Sequence, residues 1–300
     1  MFRKKMKTRN TAGDKVFYIV IYILLTAFFI TVLYPCVFIV SASFSSGTAV
    51  QAGKVILWPV NPTTEGYRII FRTSTVWTGF RNSIIYTVAS VVLAVALTMT
   101  TAYCLSRNDV PGRNLIMFLF TFTMFFNGGL IPTYMLIRNL GMLNTPWAVI
   151  VPGCLGVWNL IITRTFLQNN VPAEMMEAAK IDGCSDIGYY IKIVLPLSKA
   201  IIAVLVLFYG VGQWNSYFNP MIYLSNRNLF PLTIFLREIL TAAQIEPEAV
   251  DDPEYLMRLA EAANIIKYAL IIVTIVPVII LYPFVQKYFV KGIMVGSIKG

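Results

Sequence analysis

The chain has 300 residues, of which 57% are hydrophobic and 13% charged, with a mean hydropathy of +0.71, a net charge of +10 and a pI near 9.4. Soluble globular domains carry about 25% charged residues, so this composition excludes one and is read as that of an all-α membrane protein. Its apolar stretches have helical length, and its basic residues gather at the ends and in short loops, which fits membrane topology and not nucleic-acid binding.

Six apolar segments reach the roughly 20 residues that cross a bilayer as helix. They lie at about 16–41, 82–105, 114–137, 146–166, 198–223 and 265–288. The first is too long and too aromatic for a signal peptide and is expected to be retained. Arg3, Lys4, Lys5, Lys7, Arg9 and Lys15 place residues 1–15 on the cytoplasmic side. Alternation then puts Arg107, Arg113, Lys180, Lys192 and the tail 289–300 on that side, with both termini cytoplasmic and the segments 42–81, 138–145 and 224–264 outside. Trp58 to Thr63 is predicted to be a turn and Glu65–Phe71 an amphipathic interfacial stretch. A further helix is expected after Pro253.

Asn127-Gly128-Gly129 interrupts the third segment, Trp158-Asn159 the fourth, and Gln213-Trp214-Asn215-Ser216-Tyr217-Phe218-Asn219 the fifth. Broken helix at membrane depth is tolerated only against protein or a water-filled cavity. Amides beside aromatic rings suit an uncharged, hydroxyl-rich solute such as a sugar. Interhelical hydrogen bonding is the alternative for Asn127, Trp158, Asn159, Gln213 and Asn215. Trp214, Tyr217 and Asn219 complete the candidate pathway.

Between the fourth and fifth segments lies a polar island, Val171–Pro196. Pro172 and Glu174 suit a helix start, a first short helix is expected over Ala173–Asp182, and Met175, Ala178 and Ala179 fall on one face. Gly183 stops it, and a second helix is expected from Ser185 to about Ile193, ending before Pro196. The sequence has no histidine, which excludes histidine-based catalysis and histidine-ligated metals. Cys36, Cys104, Cys154 and Cys184 form no CxxC and are expected to act as small apolar fillers. The cores of the six segments carry no Asp, Glu, Lys or Arg, and no GxxxxGK[ST] loop is present. Uphill transport by such a chain needs energy from a partner. No catalytic residue, metal site or cofactor of its own is indicated.

Glu177-Ala178-Ala179, three residues, Gly183, nine residues, Ile193, one residue and Leu195-Pro196 resemble the EAA---G---------I-LP signature of permease subunits of bacterial ABC importers, without a gap. The C-terminal stretch Gln286–Gly300 is similar to the ending of the shorter permease of maltose-type carbohydrate importers. The Asn127–Pro132 segment and the long acidic outer loop resemble oligosaccharide permeases of Gram-positive bacteria. The resemblance implies a type I importer permease fold, with coupling helices over 172–194 inside a transmembrane domain of residues 16–288. It further implies a heterodimer with a second, different permease, an extracellular solute-binding protein, and two ATPase subunits that carry ATP and Mg2+. Glu174, Glu177, Ala178, Ala179, Asp182, Gly183, Ile193, Leu195 and Pro196 would then contact the ATPase, as would Lys291, Gly296 and Lys299 of the tail. A non-sugar importer permease and a stand-alone secondary carrier are the alternatives. The missing intramembrane charge and the lack of an internal repeat argue against the carrier.

Overall fold

The computed structural model describes residues 11–242 and 265–283, and all regular structure among them is helical. The principal helices are α1 (Ala12–Ser43), α2 (Glu65–Arg72), α3 (Ser74–Ser106), α4 (Arg113–Phe125), α5 (Leu130–Asn139) and α6 (Val157–Asn170). After these come α7 (Ala173–Ile181), α8 (Asp186–Leu197), α9 (Lys199–Trp214), α10 (Leu232–Ala242) and α11 (Ile265–Pro283). The chain divides into two compact units, Met1–Ile70 with Ala242–Ile272 and Phe71–Thr241 with Val273–Gly300. The helix expected after Pro253, the N-terminal basic cluster up to Arg9 and the tail residues Lys291, Gly296 and Lys299 lie outside the described residues.

In the first unit, α1 opens with a reciprocal cap: Asp14 accepts from the Thr11 amide at 2.8 Å, and Thr11 Oγ1 accepts from the Asp14 amide at 3.3 Å. From Val16 to Val40 most of its apolar side chains are exposed, so this helix presents hydrophobic surface all round, as lipid or a neighbouring helix requires. Its serine-rich end does different work. Ser41 Oγ donates to the Leu57 carbonyl (2.5 Å), Ser45 Oγ accepts from the Val60 amide (3.0 Å) and Tyr67 Oη donates to Ser43 Oγ (2.8 Å), stitching the following loop to the helix. Trp58 is 81% exposed at the turn, as an interfacial anchor would be. The amphipathic stretch is the helix α2, and its inner face packs on α11. A Cβ on Gly66 would fall 2.7 Å from Ile265 Cγ2 and 2.8 Å from the Ile265 carbonyl oxygen, so only glycine permits this crossing.

The second unit is built on α3, which begins eight residues before the expected segment. Its buried residues, Gly79, Asn82, Ser83, Tyr86, Ser90, Ala94, Thr98, Met99, Ala102 and Leu105, follow the i, i+3, i+4 pattern of one helical face. At the start of α3 the polar members hold a distant loop: Asn82 Nδ2 donates to the carbonyls of Asn228 (2.7 Å) and Phe230 (3.1 Å), Tyr86 Oη to that of Leu229 (2.9 Å), and Ser83 Oγ accepts from the Leu232 amide (2.9 Å). Asn144 Oδ1 accepts from the amides of Ser225 and Asn226, which brings the 140–146 loop to the same end. The island Val171–Pro196 packs at the opposite end of α3. Helix α10, unforeseen inside the expected loop 224–264, follows this stitched segment.

Among the described residues three helices, α1, α3 and α11, are each long and apolar enough to cross a membrane, and two bent pairs reach that length together. Helices α4 and α5 meet at 115°, where Asn127 Oδ1 accepts from the Gly129 amide at 2.9 Å. Helices α8 and α9 meet at 78°, at Ser198. The expected fourth segment is not one helix. A short turn, Trp147–Ile150, gives way to irregular chain over 151–156, where Pro152, Gly153 and Gly156 deny a helical register, and α6 then runs four residues past the expected end. The interruption therefore precedes Trp158-Asn159. It is held by Tyr209, whose hydroxyl accepts from the Gly156 amide (3.0 Å) and bonds Thr98 Oγ1 (2.7 Å).

Candidate functional site

The island forms a two-helix knob. Helix α7 places Glu174 in its first turn and Lys180 in its last, each complementing the helix dipole. The chain reverses at Gly183, at φ +77°, and Ser185 caps α8 by accepting from the Gly188 amide at 3.1 Å. Helix α8 does not stop before Pro196. After a single π turn over Tyr190–Val194 an α segment begins at Leu195, and Pro196 occupies its first turn, where no N–H is required of it. The break comes two residues later.

The inner side of the knob is part of the protein core. Ala179, Tyr189 and Val194 are buried in one cluster with Ala102 and Leu105 of α3, Met117 of α4 and Leu160 and Leu167 of α6, with Met176, Cys184 and Ile193 packed at its edge. The face of α7 turned inward is thus Met176 and Ala179, at i and i+3. Met175 and Ala178, expected to share one face with Ala179, are exposed, and Ala179, expected to contact the ATPase, lies instead in the core. Glu174, Glu177, Asp182 and Pro196 are exposed as well, while Ile193 and Leu195 are half-buried. Three isoleucines stand out beside the acids: Ile181 is 87% exposed, Ile187 73% and Ile191 55%. A mixed acidic and apolar surface of this kind is what a protein partner covers.

A cluster that topology reasoning treated only as loop charge fastens the knob. The Arg107 guanidinium donates to Asp186 Oδ1 (3.1 Å), to Asp109 through two nitrogens and to the Tyr103 hydroxyl (3.2 Å), and its Cζ lies 5.6 Å over the Tyr103 ring. These hydrogen bonds hold the Asp109 carboxyl down to about 2, and Asp109 in turn pushes the Arg107 guanidinium above its ordinary range. A carboxylate lowered in the folded state contributes above its unfolded pKa near 4 and loses that contribution as pH falls toward 2, so the cluster is constant across the physiological range.

The expected pathway residues do not form one constellation. Trp214 is 7% exposed and its indole donates to the Thr274 carbonyl at 2.9 Å, an interhelical bond that serves packing. Gln213 Nε2 reaches the Val149 carbonyl at 3.5 Å, a long contact, and Asn215 Nδ2 bonds back to the Val211 carbonyl at 3.0 Å. Asn127 closes the turn between α4 and α5. Trp158 is 61% exposed, Tyr217 46% exposed beneath the Arg237 guanidinium at 5.4 Å, and Asn159 and Asn219 are half-buried.

The family of binding-protein-dependent transport system inner membrane components matches residues 82–295, a span that contains the knob and its whole core cluster. This chain belongs to that family. It is 38% identical over 287 residues to the polygalacturonan/rhamnogalacturonan transport system permease protein YtcP of Bacillus subtilis, covering 96% of this chain and 99% of the relative. It is 30% identical over 272 residues to the arabinooligosaccharides transport system permease protein AraQ of Halalkalibacterium halodurans, covering 89% and 91%. Among solved structures it is similar to a chain of a bacterial ABC transporter involved in the import of the acidic polysaccharide alginate, with a TM-score of 0.84, 32% identity and coverage of 94% of this chain and 100% of that one. The family's fold is therefore this chain's fold, and membership makes it a membrane component that works with an ATPase and a solute-binding protein.

Proposed function

We propose that this permease subunit carries an oligosaccharide released from a polysaccharide, with six spans, both termini cytoplasmic, and a second, different permease as its partner. In this reading the spans comprise residues 16–288, flanked by cytoplasmic segments 1–15 and 289–300, and the six crossings are α1, α3, the bent pair α4–α5, the broken segment of Trp147–Ile150 with α6, then α9 and α11. The knob lies at the cytoplasmic end, between α6 and α9. Relatives named for galacturonan, arabinose and alginate glycans support the solute class, and the amides and aromatic rings near the breaks (Asn127, Trp158, Asn159, Gln213, Asn215, Tyr217, Asn219) are candidate contacts, Trp214 being committed to packing. Bacillus relatives support a Gram-positive cell membrane.

One observation carries the coupling role: the knob has an inner face fused to the core, while beside the exposed isoleucines the side chains of Glu174, Glu177 and Asp182 have no hydrogen-bond or ion-pair partner among the described residues. ATP and Mg2+ stay on the two partner ATPases, whose closure pulls the knob and tilts the attached helices. Glu177, Ala178, Asp182 and Gly183 lie on the docking side, with Glu174 beside them, and Lys291, Gly296 and Lys299 of the tail are assigned to the same partner. Glu177→Lys leaves the core untouched and reverses the docking charge. Affinity purification from membranes tests this: the variant should be present at parental level and recover at least about ten-fold less ATPase, a loss of about 1.4 kcal/mol. Undiminished recovery of ATPase would remove Glu177 from the dock.

A further inference from the structure

We propose that Arg107 is the positioning residue that makes α3 part of the lever moved by the knob. The inference rests on the coupling role just given and extends it beyond α6 and α9, the helices that the knob joins in sequence.

The apolar joint between knob and α3 buries surface but fixes no register, because hydrophobic contact is non-directional. Beside it lies a cleft of about 340 Å3, walled by the end of α3 and its loop, the end of α6, and Met176, Glu177 and Lys180 of α7. The Tyr189 hydroxyl at this joint is buried and has no hydrogen-bond partner among the described residues. The joint therefore has room to shift. Arg107 supplies the direction that the apolar contact lacks. Its side chain is only 14% exposed, whereas the carboxylates it holds are 51% (Asp109) and 60% (Asp186) exposed. Asp109, on the same loop, takes two of the guanidinium nitrogens and so fixes the fork with its remaining Nη1 aimed at Asp186. Below it, the Tyr103 ring lies 5.0 Å from that of Tyr190 and 6.5 Å from that of Tyr189. Ion pairs whose carboxylates are this exposed add little to stability, so the consequence of the clasp is one relative placement of α3 and knob and not a stronger fold.

The test uses the full complex in liposomes and, separately, this chain in nanodiscs. In the complex, Arg107→Ala should lower solute moved per ATP hydrolysed about five-fold, in the ordinary range of coupling free energies, while ATPase co-purification and ATP hydrolysis persist. The exchange Arg107→Asp with Asp186→Arg should restore part of the ratio. An unchanged ratio, or loss of uptake together with ATPase association that the exchange fails to restore, overturns the proposal. In nanodiscs no ATPase is needed. With Cys36, Cys154 and Cys184 replaced by alanine, spin labels on Cys104 and Ile187→Cys should give a single narrow distance that broadens on Arg107→Ala. An unchanged distribution refutes the clasp even if the coupling role of the knob stands.

Discussion

Gly183→Val is expected to abolish uptake while the chain still reaches the membrane. A Cβ at residue 183 meets nothing within 4 Å, so space is not the obstacle. The obstacle is the backbone, which stands at φ +77°, where a β-branched side chain is strained by roughly 1–3 kcal/mol. The strain is relieved by unwinding the turn, which rotates α7 against α8 and removes the acids and isoleucines from their common surface. Gly183→Asn is the control, since asparagine tolerates the left-handed region at much lower cost. The expected order of uptake in the reconstituted importer is parent, then asparagine, with valine near background. Equal uptake by the valine variant would mean that the turn does not set the docking surface.

The two alanines of the signature should part company. Ala179 is 7% exposed in the cluster with Leu105, Leu167, Tyr189 and Val194, whereas Ala178 is exposed. An aspartate at 179 puts a carboxylate among apolar side chains with no partner, at a cost of several kcal/mol. Ala179→Asp should therefore lower the thermal stability of the detergent-purified chain and reduce the amount in the membrane several-fold. Ala178→Asp should do neither, and should instead weaken ATPase recovery. Measuring melting temperature and co-purification on both variants distinguishes them, and identical behaviour would contradict the inward placement of Ala179.

The spaced signature made the position of the knob, its glycine reversal and its first helix legible from residues alone. Which alanine points inward was not, because a nine-residue helix with Met175, Met176, Ala178 and Ala179 offers two plausible apolar stripes, and the choice is made by Leu167 and Val194 from other elements. The break in the fourth segment was expected at Trp158-Asn159, because hydropathy averages over Pro152 and Gly153, whereas the irregular stretch before α6 is held by the Gly156 amide donating to the Tyr209 hydroxyl, more than fifty residues away. Asn82, Ser83 and Tyr86 carry no motif, and their partners are backbone carbonyls and an amide near residue 230, which no local pattern announces. Arg107 was legible as a topology charge and nothing more, since its aspartate at 186 lies across the fold.

The central claim is that this chain moves solute only when a partner pulls on Val171–Pro196. Uptake of a labelled oligosaccharide into proteoliposomes tests it directly. The complete importer with its solute-binding protein should accumulate label only with ATP and Mg2+, and Glu177→Lys should bring accumulation to background. Uptake by this chain alone, without ATPase or nucleotide, would contradict the claim.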